Sequence, residues 1–261
     1  MFANGEKWLP LHDAYRVGGY CGRDNTSVSN GGELMKKKNI AQCAECQYPV
    51  QERVCTTPGG KASTGCPSAS KKALVQKASN EYRTDSIAEF ARQASIQEGE
   101  CYSEREKRPY VMHPVKPRFI EIVEFAQKMG YRRLGLIFCL GLANEAGIAN
   151  RLFKSHGFEV VSVACKVGGV PKEEIGIQEE EKIFIGGHES MCNPILQAMV
   201  ANEEKTEFNV LLGLCVGHDS LFFKYADAPT TVLAVKDRVT GHNPLAALYT
   251  SGSYYAWLNK T

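Results

Sequence analysis

The chain has 261 residues, 31 basic and 29 acidic, with a formal net charge of +2, which excludes the clustered basic excess of an electrostatic nucleic-acid binder. No apolar stretch approaches the roughly 18 to 20 residues that a membrane-spanning helix needs, and the amino terminus lacks the apolar centre of a secretory signal. The reading is therefore a cytoplasmic protein with one main domain and a smaller appendage. Ten cysteines are many for that compartment, where disulfides are rare and clustered thiols point to metal or redox chemistry.

Residues 1–34 mix Gly, Asn and Ser with scattered aromatics and show no period, and Met35 followed by Lys36, Lys37 and Lys38 looks like an internal start. This segment reads as an extension or leader. Residues 35–70 form a Cys-rich metal-binding segment containing CAECQYPVQERVCTTPGGKASTGCPS. So little apolar content cannot build a core, so an ion or cross-link has to order it. The candidate metal ligands are Cys43, Cys46, Cys55 and Cys66. Two residues between Cys43 and Cys46 let one tight turn aim both sulfurs at a common centre, and four thiolates suit zinc or an iron–sulfur cluster. A zinc ribbon would offer a second close pair, whereas Cys66-Pro67 matches the Cys-Pro ending of ferredoxin ligand runs, which favours iron–sulfur over zinc. Gly59 to Thr64 is no phosphate loop, because its first glycine is misplaced and no strand precedes it.

Residues 71–114 read as a helical linker. Ser86-Ile87-Ala88-Glu89 fits a capping box, and Ile87, Phe90, Ala91 and Ala94 fall at helical spacing up to an end near Gly99. From 115 to 261 helices and strands alternate. Pro117 opens a helix with Phe119, Ile122, Val123, Ala126 and Met129 on its inward face, and Gly130 closes it. Apolar runs at 134–138, 159–164, 210–214 and 230–235 read as strands. Helices fill 146–153, 194–200, 221–225 and 244–248. Strands buried on both faces imply an α/β fold, a flavodoxin-like parallel sheet of four strands with helices on both faces. Right-handed crossovers favour the order 2-1-3-4, with Cys139 and Cys215 on neighbouring strands at the carboxyl edge where ligands bind.

That edge carries the second constellation. Cys139, Cys165 and Cys215 each follow a strand, and Cys192 sits at the mouth of a helix. A lone Cys is usually a small buried apolar residue, but repetition at one edge points to a shared cofactor or ligand site, either a second metal centre or thiol nucleophiles in a redox pocket. Gly187-His188-Glu189, Gly217-His218-Asp219 and Gly241-His242-Asn243 lie at the same edge. Helix capping accounts for Asp219 and Asn243. It leaves the imidazoles, which bind metals or move protons near neutral pH. His218 and Cys215 are the candidate catalytic residues, and Lys236 and Asp237 can pair with each other or with an anionic ligand.

The blocks CAECQYPVQERVC, FCLGLANEAG, VACKVGG, MCNP, GLCVGHDSLFFKYADAP and VLAVKDRVTGHNPLAALY resemble the prokaryotic family grouped as domain of unknown function 1847, over about residues 40 to 250. The family is described as predicted metal-binding proteins. The resemblance implies metal ligation by Cys43, Cys46, Cys55 and Cys66 and a site role for Cys139, Cys165, Cys192, Cys215 and His218. The expectation is a metalloprotein holding an iron–sulfur cluster, with a redox or small-molecule site at the sheet edge and a small-molecule ligand or redox partner. The alternative is a non-catalytic binding module with a structural zinc in the Cys-rich segment.

Overall fold

The computed structural model describes residues 40–259, so the expectations for residues 1–34 and for Lys36 to Lys38 lie outside the described residues. The chain divides into two units, one ending at Val75 and the other beginning at Gln76.

In the first unit the described chain makes two 3₁₀ turns, Cys43–Glu45 and Val50–Glu52, and a short helix α1, Pro67–Ser70. Among the described residues of this unit no large apolar side chain is buried, in keeping with the composition. Backbone hydrogen bonds hold it together: Lys61 N donates to Glu52 O at 2.7 Å, Val54 N to Lys61 O at 2.9 Å and Gln42 N to Gly65 O at 3.2 Å. Helix α2, Lys72–Glu81, runs across the division.

The second unit continues with α3 (Asp85–Glu100), a two-residue antiparallel pair β1 (Tyr102–Ser103) and β2 (His113–Pro114), and α4 (Arg118–Lys128). Then come β3 (Arg133–Phe138), α5 (Ala143–Ser155), β4 (Glu159–Ala164), α6 (Pro194–Glu203), β5 (Phe208–Leu212), α7 (His218–Tyr225), β6 (Thr230–Ala234) and α8 (Leu245–Tyr249). The four long strands form one parallel sheet in the order β4-β3-β5-β6. This is the expected 2-1-3-4 arrangement. Among the described residues no helix is long and apolar enough to cross a membrane.

Strand side chains alternate between faces, and each face has its own core. Leu134, Leu136, Phe208 and Val210 join α4 and α5 in one buried cluster, while Ile137, Val163 and Leu211 join α6 and α7 in the other. Phe153 of α5 and Phe222 of α7 are fully buried in opposite layers. Each such side chain contributes roughly 1.5–3 kcal/mol by leaving water.

Two local expectations are corrected. Helix α3 starts at Asp85 with Thr84 at its cap and no side-chain capping bond, so Ser86 is already inside the first turn. Glu89 therefore does not reach back, and instead accepts from Arg92 Nε at 2.9 Å and Gln93 Nε2 at 2.7 Å. Helix α4 buries Phe125 as well as the expected Ile122, Val123 and Ala126. The reason is a second neighbour: Phe90 of α3 meets the Phe125 ring edge-on at 5.0 Å, and Phe208 lies 5.5 Å from it.

Candidate thiol site at the carboxyl edge of the sheet

Four strand ends assemble the site through their backbones. Beyond β3, Cys139 N donates to Leu212 O of β5 at 3.0 Å; beyond β4, Cys165 N donates to Phe138 O at 2.8 Å. Asn193 N donates to Cys165 O at 2.7 Å, which brings the Cys192 segment against the end of β4. Asn193 then caps α6, its Oδ1 accepting from Leu196 N at 3.0 Å, with Pro194 in the first helical position. Beyond β5 and β6, Lys236 N donates to Leu214 O at 3.1 Å, and His218 N to Cys215 O at 3.0 Å. Gly217 makes the last turn with φ +83°, a conformation that L side chains rarely adopt, and α7 starts at the next residue. Asn202 ties α6 to the end of α7, with its Nδ2 donating to Tyr225 O at 2.8 Å and its Oδ1 accepting from Asp227 N at 3.0 Å.

Cys165 is the centre. It is 3 % exposed, and its sulfur accepts from Leu140 N at 3.3 Å. Its thiol lies in hydrogen-bonding reach of Cys139 on one side and Cys192 on the other. The consequence is a split in acidity. Hydrogen bonding from Cys165 holds Cys139 down to about 5, assisted by Gly141 and by the Lys236 ammonium. Hydrogen bonding from Cys165 and from His218 holds Cys192 down to about 4, and the Lys166 charge adds to this. Cys165 itself is driven up, first by its two thiolate neighbours and then by burial. His218 is raised because its imidazolium faces the Cys192 sulfur. A thiol has one proton to give, so Cys165 serves one flanking thiolate at a time. The arrangement favours a Cys192 thiolate facing the His218 imidazole, beside a buried Cys165 thiol held in its neutral form.

The sequence-predicted residues are distributed unequally. Cys139, Cys165, Cys192 and the His218 imidazole come together. The Cys215 sulfur turns instead to Arg238, whose Nη2 lies 3.1 Å away. His188 contacts Ser190 at 3.4 Å, and His242 accepts from Asp237 N at 3.1 Å within its own loop. Asp237 accepts from Val239 N and Thr240 N, both at 2.9 Å, so it serves a turn rather than Lys236. Helix α7 is capped by Gly217, and Asp219 bonds to Ser220 N at 2.7 Å, inside the helix.

Sequence reasoning missed three contributors. Gln197 is fully buried, and its Nε2 donates to Val163 O at 2.8 Å and to Phe138 O at 3.3 Å, fixing the last turns of β4 and β3 just ahead of Cys165 and Cys139. A glutamine inside the otherwise apolar PILQAMVA of α6 was its available signal. Lys166 and Arg238, each one or two residues beyond a strand-exit position, carried no signal apart from their charge.

The first unit differs. Cys43 and Cys55 are exposed and Cys46 and Cys66 half-exposed. Cys46 lies 3.4 Å from the Ser63 hydroxyl, which lowers the pKa of its thiol. Among the described residues no group of three or more His, Cys, Asp or Glu is gathered so that it could hold a metal ion. The metal expectation for Cys43, Cys46, Cys55 and Cys66 therefore stands on their spacing alone.

Residues 66–233 match the family described as protein of unknown function (DUF1847). The chain belongs to this family. It is also 42% identical over 185 residues, 71% of this chain and 87% of the relative, to the uncharacterized protein MJ0455 of Methanocaldococcus jannaschii. The DUF1847 match contains Cys66, the whole Cys139–Cys165–Cys192–His218 group and Cys215. It begins after Cys43, Cys46 and Cys55 and ends before Lys236 and Arg238.

Proposed function

We propose that the protein carries out thiol redox chemistry on a small molecule or redox partner at the carboxyl edge of the sheet. Cys192 is the nucleophile, His218 its proton carrier, Cys165 the resolving thiol, and Cys139, beside the Lys236 ammonium, the flanking thiol within hydrogen-bonding reach of Cys165. The observation that supports this reading is the buried Cys165 thiol between two acidified thiols, one of them paired with an imidazolium. Reactive cysteines need such cationic, partly exposed surroundings, whereas inert ones lack them.

With a disulfide as substrate, the Cys192 thiolate attacks one sulfur, the substrate S–S bond breaks, and the departing thiolate takes the proton held by His218. Cys165 then loses its proton to the second departing sulfur as its own sulfur attacks Cys192. Two electrons pass to the substrate, which leaves as two thiols, and a Cys165–Cys192 disulfide remains. A dithiol reductant restores the pair. Metal at Cys43, Cys46, Cys55 and Cys66, as an iron–sulfur cluster or zinc, is a separate proposal that rests on their spacing.

One preparation tests both. The protein is purified without oxygen, iron, sulfide and zinc per chain are measured, and oxidised glutathione is added before disulfides are mapped by mass spectrometry. The thiol reading expects a Cys165–Cys192 link, two thiols lost per chain, and neither in Cys192→Ser. Edge thiols that survive an excess of the disulfide, or an unchanged product map in Cys192→Ser, would sink it. A colourless protein free of iron and zinc would sink the metal proposal alone.

A further inference from the structure

The opposite end of the sheet holds a cavity that the thiol chemistry does not use. It measures about 440 Å³ and lies where α3 and α4 meet the amino ends of β5 and β6, within the range of small-molecule sites, roughly 300–1,000 Å³. Its wall is aromatic: Phe90, Phe125 and Phe208 line it, with Phe125 and Phe208 buried and their rings packed edge to face or tilted against one another. Its rim is charged. Arg118 and Glu121 neutralise each other at 3.2 Å, and Arg118 is further fixed by donating to Thr231 Oγ1 at 2.7 Å. Glu98, also on the rim, has no cationic partner among the described residues. The pocket thus joins aromatic rings to a carboxylate without a salt-bridge partner among the described residues.

We propose that this cavity is a binding site for a small organic cation with an aromatic or aliphatic body. The ring faces attract the cation through their quadrupoles and cover the apolar body, and the Glu98 carboxylate neutralises its charge. A carboxylate ligand would meet Glu98 and Glu121 with Arg118 already engaged. The pairing of Arg118 with Glu121 therefore selects for positive charge rather than against it. This proposal is independent of the thiol reading, because no residue is shared between the two sites.

The test titrates the full chain with 2-phenylethylammonium, following amide resonances by NMR. Phenylacetate, with the same ring and opposite charge, and butylammonium, with the same charge and no ring, are titrated in parallel. The proposal expects shifts in α3 and α4, with 2-phenylethylammonium bound roughly tenfold or more tightly than either control. Glu98→Gln should weaken it by roughly three- to tenfold. Ala94→Trp, at a cavity-lining position of α3 that is open to solvent, should place an indole across the cavity and abolish binding, with cooperative unfolding checking that the variant is folded. Equal affinity for phenylacetate, no shift at millimolar ligand, or undiminished binding to folded Ala94→Trp would overturn it.

Discussion

Nine of the ten cysteines fall among the described residues, and they occupy two contrasting settings plus one isolated core position. In the segment from Cys43 to Cys66 the thiols are close in sequence and exposed or half-exposed, held by a chain without a buried core. At the sheet edge Cys139, Cys165 and Cys192 are far apart in sequence, yet they meet because three consecutive backbone hydrogen bonds bring strand ends together. The contrast separates two routes to a site. Spacing along a loop aims sulfurs only if something binds them, whereas a parallel sheet converges its strand exits whether or not a ligand is present.

The largest expected effect breaks the edge and spares the loop. Phe222→Ala empties a fully buried position beneath α7 and should cost about 3–5 kcal/mol in denaturant unfolding. Cys43→Ser, at an exposed position, should stay within about 0.5 kcal/mol of the parent.

Next is the pH profile of the pair. A thiol whose folded pKa is depressed contributes stability above its unfolded value and loses it as pH falls through the folded one, about 4 for Cys192. His218 is raised, so its contribution is full below the ordinary imidazole value and disappears as pH rises through the raised one. The thiolate–imidazolium pair is intact between these limits. Disulfide reduction should therefore be bell-shaped in pH, and His218→Ala should slow it roughly tenfold at pH 5 and remove the alkaline limb. A rate that keeps that limb in His218→Ala would show that another group carries the proton.

Smaller effects resolve the two flanks. Lys236→Met should slow alkylation of Cys139 by about twofold near pH 5 while leaving Cys192 unchanged, as site-resolved mass spectrometry can read. In the loop, Ser63→Ala removes the hydroxyl beside Cys46 and should slow Cys46 labelling by about twofold, with no change at the edge.

Much of the sheet was legible because its strands are short apolar runs separated by helix starts with strong signals. Pro117 and Asn193-Pro194 mark helix openings that the fold uses, and β4 occupies the anticipated residues. The expected helix cap at Asp219 is displaced: the turn at Gly217 and the bonds to Cys215 O cap α7 two residues earlier. Within the site, strand order foretold that the thiols share an edge. It could not foretell which sulfur meets His218, because that depends on how the loops after β4 and β5 fold over the edge. Cys192, carried by the first loop, reaches the imidazole, while Cys215, one turn before His218, faces Arg238.

The most direct measurement is competitive alkylation of the native chain at pH 5 with a limiting thiol reagent, followed by site-resolved mass spectrometry. An unassisted thiol near 8.5 is thiolate to only about 0.03% there. A thiol near 4 is about nine-tenths thiolate, a gain of roughly 3,000-fold that outweighs the roughly hundredfold loss of intrinsic nucleophilicity. The account predicts that half-buried Cys192 and Cys139 are labelled ahead of exposed Cys43 and Cys55. Labelling that follows exposure, with Cys43 and Cys55 modified before Cys192, would contradict it.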